Sequence, residues 1–334
     1  MTQSHGKSGW PIKSSTALWA LFLLSLLWAC DTLQPTFLPN LNLSPRSSLA
    51  RDALPLGFLA IVTGARSLIL GRTLSNRTVP TQILPARTLL AQSLPLSSIL
   101  LGLGLFALPI LLMNLVTGEI PEFTRAWLLT LVPVFAVTFE PHLGGVRVRP
   151  VRGALFAALV AAIGGLLVFP VGLPATVPTA LAFGLGLLVS IGIAAASCRG
   201  FALLTQAPNG AGQDTSSQDL TAAIAGSSAA LTLAAAAALT RQWQRLTAAD
   251  WGWALAVELP GLLLFFWLLP RLTASRLAAR FVLAPLVAIL AGAALLQAPL
   301  SLRTALGLLL MALGTAWLLF AHPEDSGTLG LSLY

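Results

Sequence analysis

Charge is what this 334-residue chain has least of: only 9% of its residues are charged. A soluble globular protein is about a quarter charged, so an ordinary soluble enzyme is excluded. A disordered chain is excluded as well, because that class needs low hydrophobicity and 56% of this chain is hydrophobic. Lysine is confined to Lys7 and Lys13 in the N-terminal tail. A phosphate-cradling loop needs a lysine on the phosphates, so the chain encodes no ATP motor. The two cysteines, Cys30 and Cys198, lie far apart, and the three histidines are His5, His142 and His322. Neither set has the spacing of a metal centre, so no metal or cofactor is expected.

What remains is apolar sequence, with a mean hydropathy of +0.86. A helix crosses a hydrocarbon core of roughly 30 Å with about 20 residues. Ten such spans use about 200 residues and leave only short loops and tails. The net charge of +8 would suggest nucleic acid on a soluble domain. Here the basic residues fall singly between apolar runs, as topology signals do, so nucleic acid is not an expected partner and the lipid bilayer is.

The first apolar run, Ala17–Cys30, continues through Asp31–Leu38 to spanning length. Leu27-Trp28-Ala29-Cys30 also looks like a lipoprotein cleavage box, an alternative that intact mass would test. Nine further spans are expected near 54–74, 97–116, 123–141, 153–171, 177–198, 220–240, 250–269, 280–297 and 303–321. The segment at 220–240 is rich in alanine and serine, which suits a helix packed closely inside a bundle. Gln206–Gln218 reads as a loop.

With the N-terminus inside, twelve of the nineteen Lys and Arg residues fall on the cytoplasmic side. Six fall outside: Arg46, Arg51, Arg125, Arg241, Arg245 and Arg303. Arg66 lies within a span. The excess places both termini in the cytoplasm and calls for an even number of spans.

A self-match recurs at a spacing of about 151 residues. Arg152–Phe169 reads RGALFAALVAAIGGLLVF and Arg303–Phe320 reads RTALGLLLMALGTAWLLF. Leu108-Pro109 matches Leu259-Pro260, and Pro133 matches Pro285. The repeat is five spans long, and an odd number turns the second copy upside down. Two inverted halves are characteristic of secondary transporters, because exchanging the conformations of the halves exchanges inward-open for outward-open. The expected architecture is an all-α membrane protein of ten helices in two inverted five-helix repeats. The first is 1–171, with 1–13 a cytoplasmic tail, and the second is 172–334, with 322–334 a cytoplasmic tail.

Arg280–Phe320 resembles the last two helices of EamA-type members of the drug/metabolite transporter superfamily. Leu27-Trp28-Ala29 resembles that family's first helix, and Leu272–Arg276 its junction before the ninth. The resemblance implies ten helices with both termini inside, and export or exchange of small metabolites such as amino acids or nucleosides. It also implies a bacterial inner membrane and leaves room for a homodimer. The family's Gly-Glu-Pro turn before the last helix is Gln297-Ala298-Pro299 here, and Glu140-Pro141 follows Pro133 by only seven residues.

The candidate pathway residues are Glu258, Asp31, Trp28, Arg66, Asn114 and Ser190, with Pro109, Pro133, Pro260 and Pro285 as helix breaks. A charge at the bilayer centre costs about 2.5–3.5 kcal/mol on insertion scales. Glu258 is central in its span beside Pro260, so it reads either as a proton- or cation-binding carboxylate or as a structural partner between helices. Asp31 shares a helix face with Trp28 and suits an amine-bearing substrate, or it is hydrated at the outer interface if Pro35 ends the helix. Arg66 either snorkels to the cytoplasmic surface or binds Asp31, Glu258 or a substrate carboxylate. Glu140 is expected to pair with Arg147 or Arg149. Asn114 and Ser190 read as interhelical hydrogen bonds or as cavity lining. Trp253 and Trp267 read as interfacial aromatics. The competing functions are a lipid-modifying membrane enzyme and a structural membrane subunit. The chain shows no Asp-rich metal motif for the first, and the second needs neither repeat nor intramembrane charge, so a non-enzymatic carrier of a small-molecule substrate is the expectation.

Overall fold

The computed structural model describes residues 14–37, 48–75, 95–144, 152–172, 174–205, 215–297 and 299–320. The two tails, most of the loop expected at Gln206–Gln218, and the loop carrying Arg147 and Arg149 lie outside the described residues. Ten helical segments follow in chain order: α1 Ser14–Phe37, α2 Leu49–Ser75, α3 Pro95–Leu115, α4 Glu122–Leu143 and α5 Arg152–Val168, then α6 Val177–Thr205, α7 Thr215–Leu239, α8 Ala248–Leu268, α9 Ala274–Leu296 and α10 Leu302–Phe320. All except α5 are long and apolar enough to cross a membrane, which makes nine among the described residues; α5 is the shorter apolar helix. Large apolar side chains face outward, including Trp19, Ile61, Leu231 and Leu302. Such a surface is unsuited to water and suited to lipid. The protein is an all-α, multi-pass membrane protein.

Two long helix pairs run antiparallel. In the first, Leu49 at the start of α2 donates its N–H to Gln242 Oε1 just beyond α7, Gly226 approaches Leu56 and Ala60, and Arg66 meets Asp219 at the start of α7. The apolar face of α7 is built from Ala222, Ala225, Ala229, Leu233 and Ala237, all buried. Their small side chains admit this close approach to α2, while Leu231 on α7 faces outward. In the second pair, Phe156 on α5 meets Trp317 of α10 edge to face, and Arg303 reaches the Leu166 carbonyl. Here a Cβ on Gly314 would stand 2.6 Å from the Ala157 carbonyl oxygen, so this crossing requires glycine.

The other contacts come in matched sets. α1 runs parallel to α9, through Trp28–Phe281 and Leu33–Gly292. α4 runs parallel to α6, through Leu128–Ser190 and Ala136–Cys198. α8 lies antiparallel to α1, and α3 antiparallel to α6.

The prolines of α3 and α8 do similar local work. Each is preceded by one wide π turn, Leu103–Ala107 before Pro109 and Ala254–Glu258 before Pro260. Proline has no N–H to give the carbonyl four residues back, and its ring crowds that carbonyl. Here the residue before it, Leu108 or Leu259, donates five residues back, to Leu103 or Ala254. The helix therefore continues with a bulge, a feature common at functional sites. Pro133 follows a turn residue that interrupts α4 at Leu131, whereas Pro285 sits within an unbroken stretch of α9.

Several expectations are corrected at helix ends. α1 continues past Pro35 to Phe37 and runs unbroken through Cys30. α2 begins at Leu49 rather than near 54, which draws Arg51 out of the expected outer loop and into a helix. α6 extends to Thr205, so Arg199 lies on a helix. Arg280, expected just inside the membrane surface, lies within α9 and is 3% exposed.

Candidate functional site

Arg51 stands at the centre of a polar cluster. Ser48 sets its position: the Arg51 N–H donates to Ser48 Oγ at 3.4 Å and the Asp52 N–H to the Ser48 carbonyl at 3.2 Å, starting α2 just before the charged pair. Arg51 Nη2 donates to Asp31 Oδ1 on α1 at 3.0 Å and approaches Glu258 Oε1 on α8 at 3.4 Å. Trp253 Nε1 on α8 donates to the same Asp31 oxygen at 2.9 Å. The Asp52 carboxylate lies within electrostatic reach of Glu258, Arg51 and Asp31. Two carboxylates thus share one guanidinium. Asp250, at the start of α8, is occupied separately: its Oδ2 accepts from the Thr247 N–H at 2.8 Å and from Thr247 Oγ1 at 2.9 Å, capping the helix.

The arrangement brings together Asp31 and Glu258, two of the residues singled out from sequence, and joins them through Arg51, which was assigned to a loop. Asp31 accepts from two donors while its side chain stays 35% exposed. Trp253, read from sequence as an interfacial aromatic, donates to Asp31 through its indole N–H. Glu258 forms the last residue of the π turn, beside Pro260 as its sequence context suggested.

The remaining candidates lie elsewhere. Arg66 pairs with Asp219 at 3.4 Å, with its own side chain 56% exposed, and reaches neither Asp31 nor Glu258. Ser190 is fully buried and donates to the Leu128 carbonyl at 2.7 Å, an interhelical bond. Asn114 is half-buried near the end of α3. Glu140 accepts from the Ser275 N–H on α9 at 3.4 Å. Trp267 carries the Arg271 guanidinium 4.1 Å above its ring.

A cavity of about 590 Å³ opens between α1, α2, α7 and α8. Ala20, Leu27, Thr63, Pro260 and Trp267 line it, and Arg66, Asp219 and Arg271 supply its charge. The volume lies in the range that holds a small metabolite, about 300–1,000 Å³.

Arg280 forms the second buried cationic site. Its guanidinium carbon lies 4.0 Å from the Phe265 ring centroid, 4.6 Å from Trp28 and 4.8 Å from Phe281. Its Nε and Nη1 are buried with no hydrogen-bond partner, and it makes no ion pair among the described residues. Cation–π contacts supply about 0.5–2 kcal/mol each, so three rings return about 1.5–6 kcal/mol. A charge at membrane depth costs about 3 kcal/mol, and each unmet buried donor about 1–3 kcal/mol more. Against a cost of about 5–9 kcal/mol, the rings offset the sum only at the favourable end of their range. Trp28 was picked out for its place beside Asp31; what it supports instead is Arg280, a residue no sequence pattern singled out.

No family model matches this chain, and no curated protein matches it either. Twenty-four chains of solved structures do match. One crystal structure shares the fold with a TM-score of 0.61, covering 92% of this chain and 99% of that one, at 16% sequence identity. Identity that low speaks for the fold alone, so the fold of this membrane protein recurs along nearly the full length of a solved chain.

Proposed function

We propose that the protein is a secondary transporter that moves a small metabolite, such as an amino acid or nucleoside, across a bacterial inner membrane by alternating access. The observation that carries this reading is the pattern of helix pairing. Renumbering each helix by five turns α1–α9 into α6–α4, and α8–α1 into α3–α6, while α2–α7 and α5–α10 map onto themselves. The members of each self-matched pair run in opposite directions. The two π turns stand 151 residues apart, at Leu103 and Ala254. All of this supports two five-helix halves in inverted orientation, a design that lets one structure open to either side. The likeness of α9, α10 and the start of the chain to EamA-type transporters agrees with it.

In this reading Arg51 is a latch. It ties α1 and α2 of one half to α8 of the other through Asp31 and Glu258. A proton or a substrate ammonium on either carboxylate weakens the tie and frees the halves to rock. The cavity beside α8 is the substrate's place, and both termini face the cytoplasm.

The test is counterflow in proteoliposomes, with a panel of radiolabelled amino acids and nucleosides and with or without a pH gradient. Saturable accumulation that falls when Glu258 is replaced by Gln supports the proposal. Flux equal to that of protein-free vesicles across the panel contradicts it.

A further inference from the structure

We propose that Arg280 is an anion-binding residue that takes the carboxylate of a small soluble ligand, held in a box formed by Trp28, Phe265 and Phe281. The inference rests on the transporter reading for the ligand's route through the membrane, and not for binding itself.

The geometry separates two kinds of contact. The rings offer π faces but no lone-pair acceptor, whereas every guanidinium N–H is a donor. The three aromatic side chains lie 4.0–4.8 Å from the guanidinium carbon. They hold the charge in place without supplying an acceptor to any N–H. Two nitrogens of Arg280, Nε and Nη1, are buried and unpartnered among the described residues. A buried donor set of this kind needs an acceptor, and a carboxylate offers two oxygens to it.

The surroundings select among anions. On α1, Asp31 lies three residues beyond Trp28. On α8, Glu258 lies seven residues before Phe265, about 10 Å along the helix. On α9 itself Arg276 lies one turn before Arg280, and on α4 Glu140 faces Ser275. With one guanidinium to answer and acidic groups at Asp31 and Glu258 nearby, a single negative charge suits the site better than a doubly charged phosphate. A singly charged carboxylate with an apolar body matches both the guanidinium and the rings.

The experiment uses the full-length protein in phosphatidylcholine nanodiscs. Radiolabelled acetate, benzoate and glutamate are titrated by equilibrium dialysis, with inorganic phosphate and added phosphatidylglycerol as separate arms. Tryptophan fluorescence is followed in parallel, since the Trp28 ring touches both Arg280 and Phe281. At least one carboxylate is expected to bind saturably, with affinity about tenfold to a hundredfold lower in Arg280→Gln, the loss expected for a charge-assisted hydrogen bond. Arg303→Gln, exposed on α10 and outside both the box and the cavity, is expected to bind as the wild type does. Arg280→Lys keeps the charge without the fork and is expected to bind with intermediate affinity, which keeps the test open if the Gln variant does not fold. Trp28→Phe is expected to lose most of the fluorescence change. Binding of every carboxylate unaffected by Arg280→Gln and by Arg280→Lys, or no carboxylate binding at all, overturns the assignment. Arg280-dependent binding confined to phosphate or to phosphatidylglycerol overturns it too. Carboxylate binding by a protein that moves nothing in proteoliposomes would overturn the transporter and leave this site standing.

Discussion

Arg51 and Arg280 are equally buried, each 3% exposed, and the fold treats them in opposite ways. Arg51 is surrounded by carboxylates and makes ion pairs at 3.0 and 3.4 Å. Arg280 is surrounded by rings and makes none among the described residues. The first arrangement is internally compensated and ties helices together. The second is compensated by rings alone among the described residues and is ready for something else. The difference teaches that a buried arginine is not one kind of evidence: its partners decide whether it serves as a structural tie or as a receptor.

Replacing residues one at a time sharpens that contrast. The largest effect is expected from Arg51→Leu, which strands Asp31 and Glu258 without their counter-charge. A loss of about 3–5 kcal/mol is expected, because breaking a buried pair leaves an uncompensated charge. A thermal melt of the detergent-solubilised protein measures it. Next comes Asp31→Asn, which weakens the bonds from both Arg51 and Trp253, at about 1.5–3 kcal/mol. Glu258→Gln is expected to cost less than Asp31→Asn, since its contact with Arg51 is the longer one. Arg280→Met reverses the sign: without ligand its melting point is expected to stay level or rise by up to about 2 kcal/mol of stability, as when a buried charge gives way to an apolar residue. A large destabilisation there would mean that Arg280 is a structural tie after all. The smallest effect is expected for Arg303→Gln, below about 0.5 kcal/mol, because this exposed side chain makes only a 3.4 Å contact with the Leu166 carbonyl.

Much of the helical framework is legible in the sequence, because spans are set by length and hydropathy alone. The boundaries of α3, α8 and α10 fall within two or three residues of expectation. Glu258 and Asp31 are legible as well, since a carboxylate in an apolar run is conspicuous. Their partner is not. Arg51 sits next to Asp52 and shortly before Pro55, a pattern that reads as a loop before a helix. The available signal was local: Ser48 is a helix-capping residue that places the helix start ahead of the charged pair. Arg280 has no such signal. It opens an apolar run, where an arginine ordinarily marks the membrane surface, and only the break at Ala279 within α9 carries it inside. Which carboxylate meets which arginine is set by tertiary packing between residues more than 200 positions apart, as Arg51 and Glu258 are.

The most direct test of the account is side-specific labelling of α1 in sealed proteoliposomes, in a background lacking Cys30 and Cys198. One variant carries Ala20→Cys, at the cavity end of α1, and the other Thr32→Cys, beside the Asp31 cluster. A membrane-impermeant maleimide is applied with and without a transported ligand. The account predicts reciprocal change, one position becoming more reactive as the other becomes less so. Reactivity that ligand leaves unchanged at both positions, or that moves in the same direction at both, would contradict a bundle that opens alternately to its two sides.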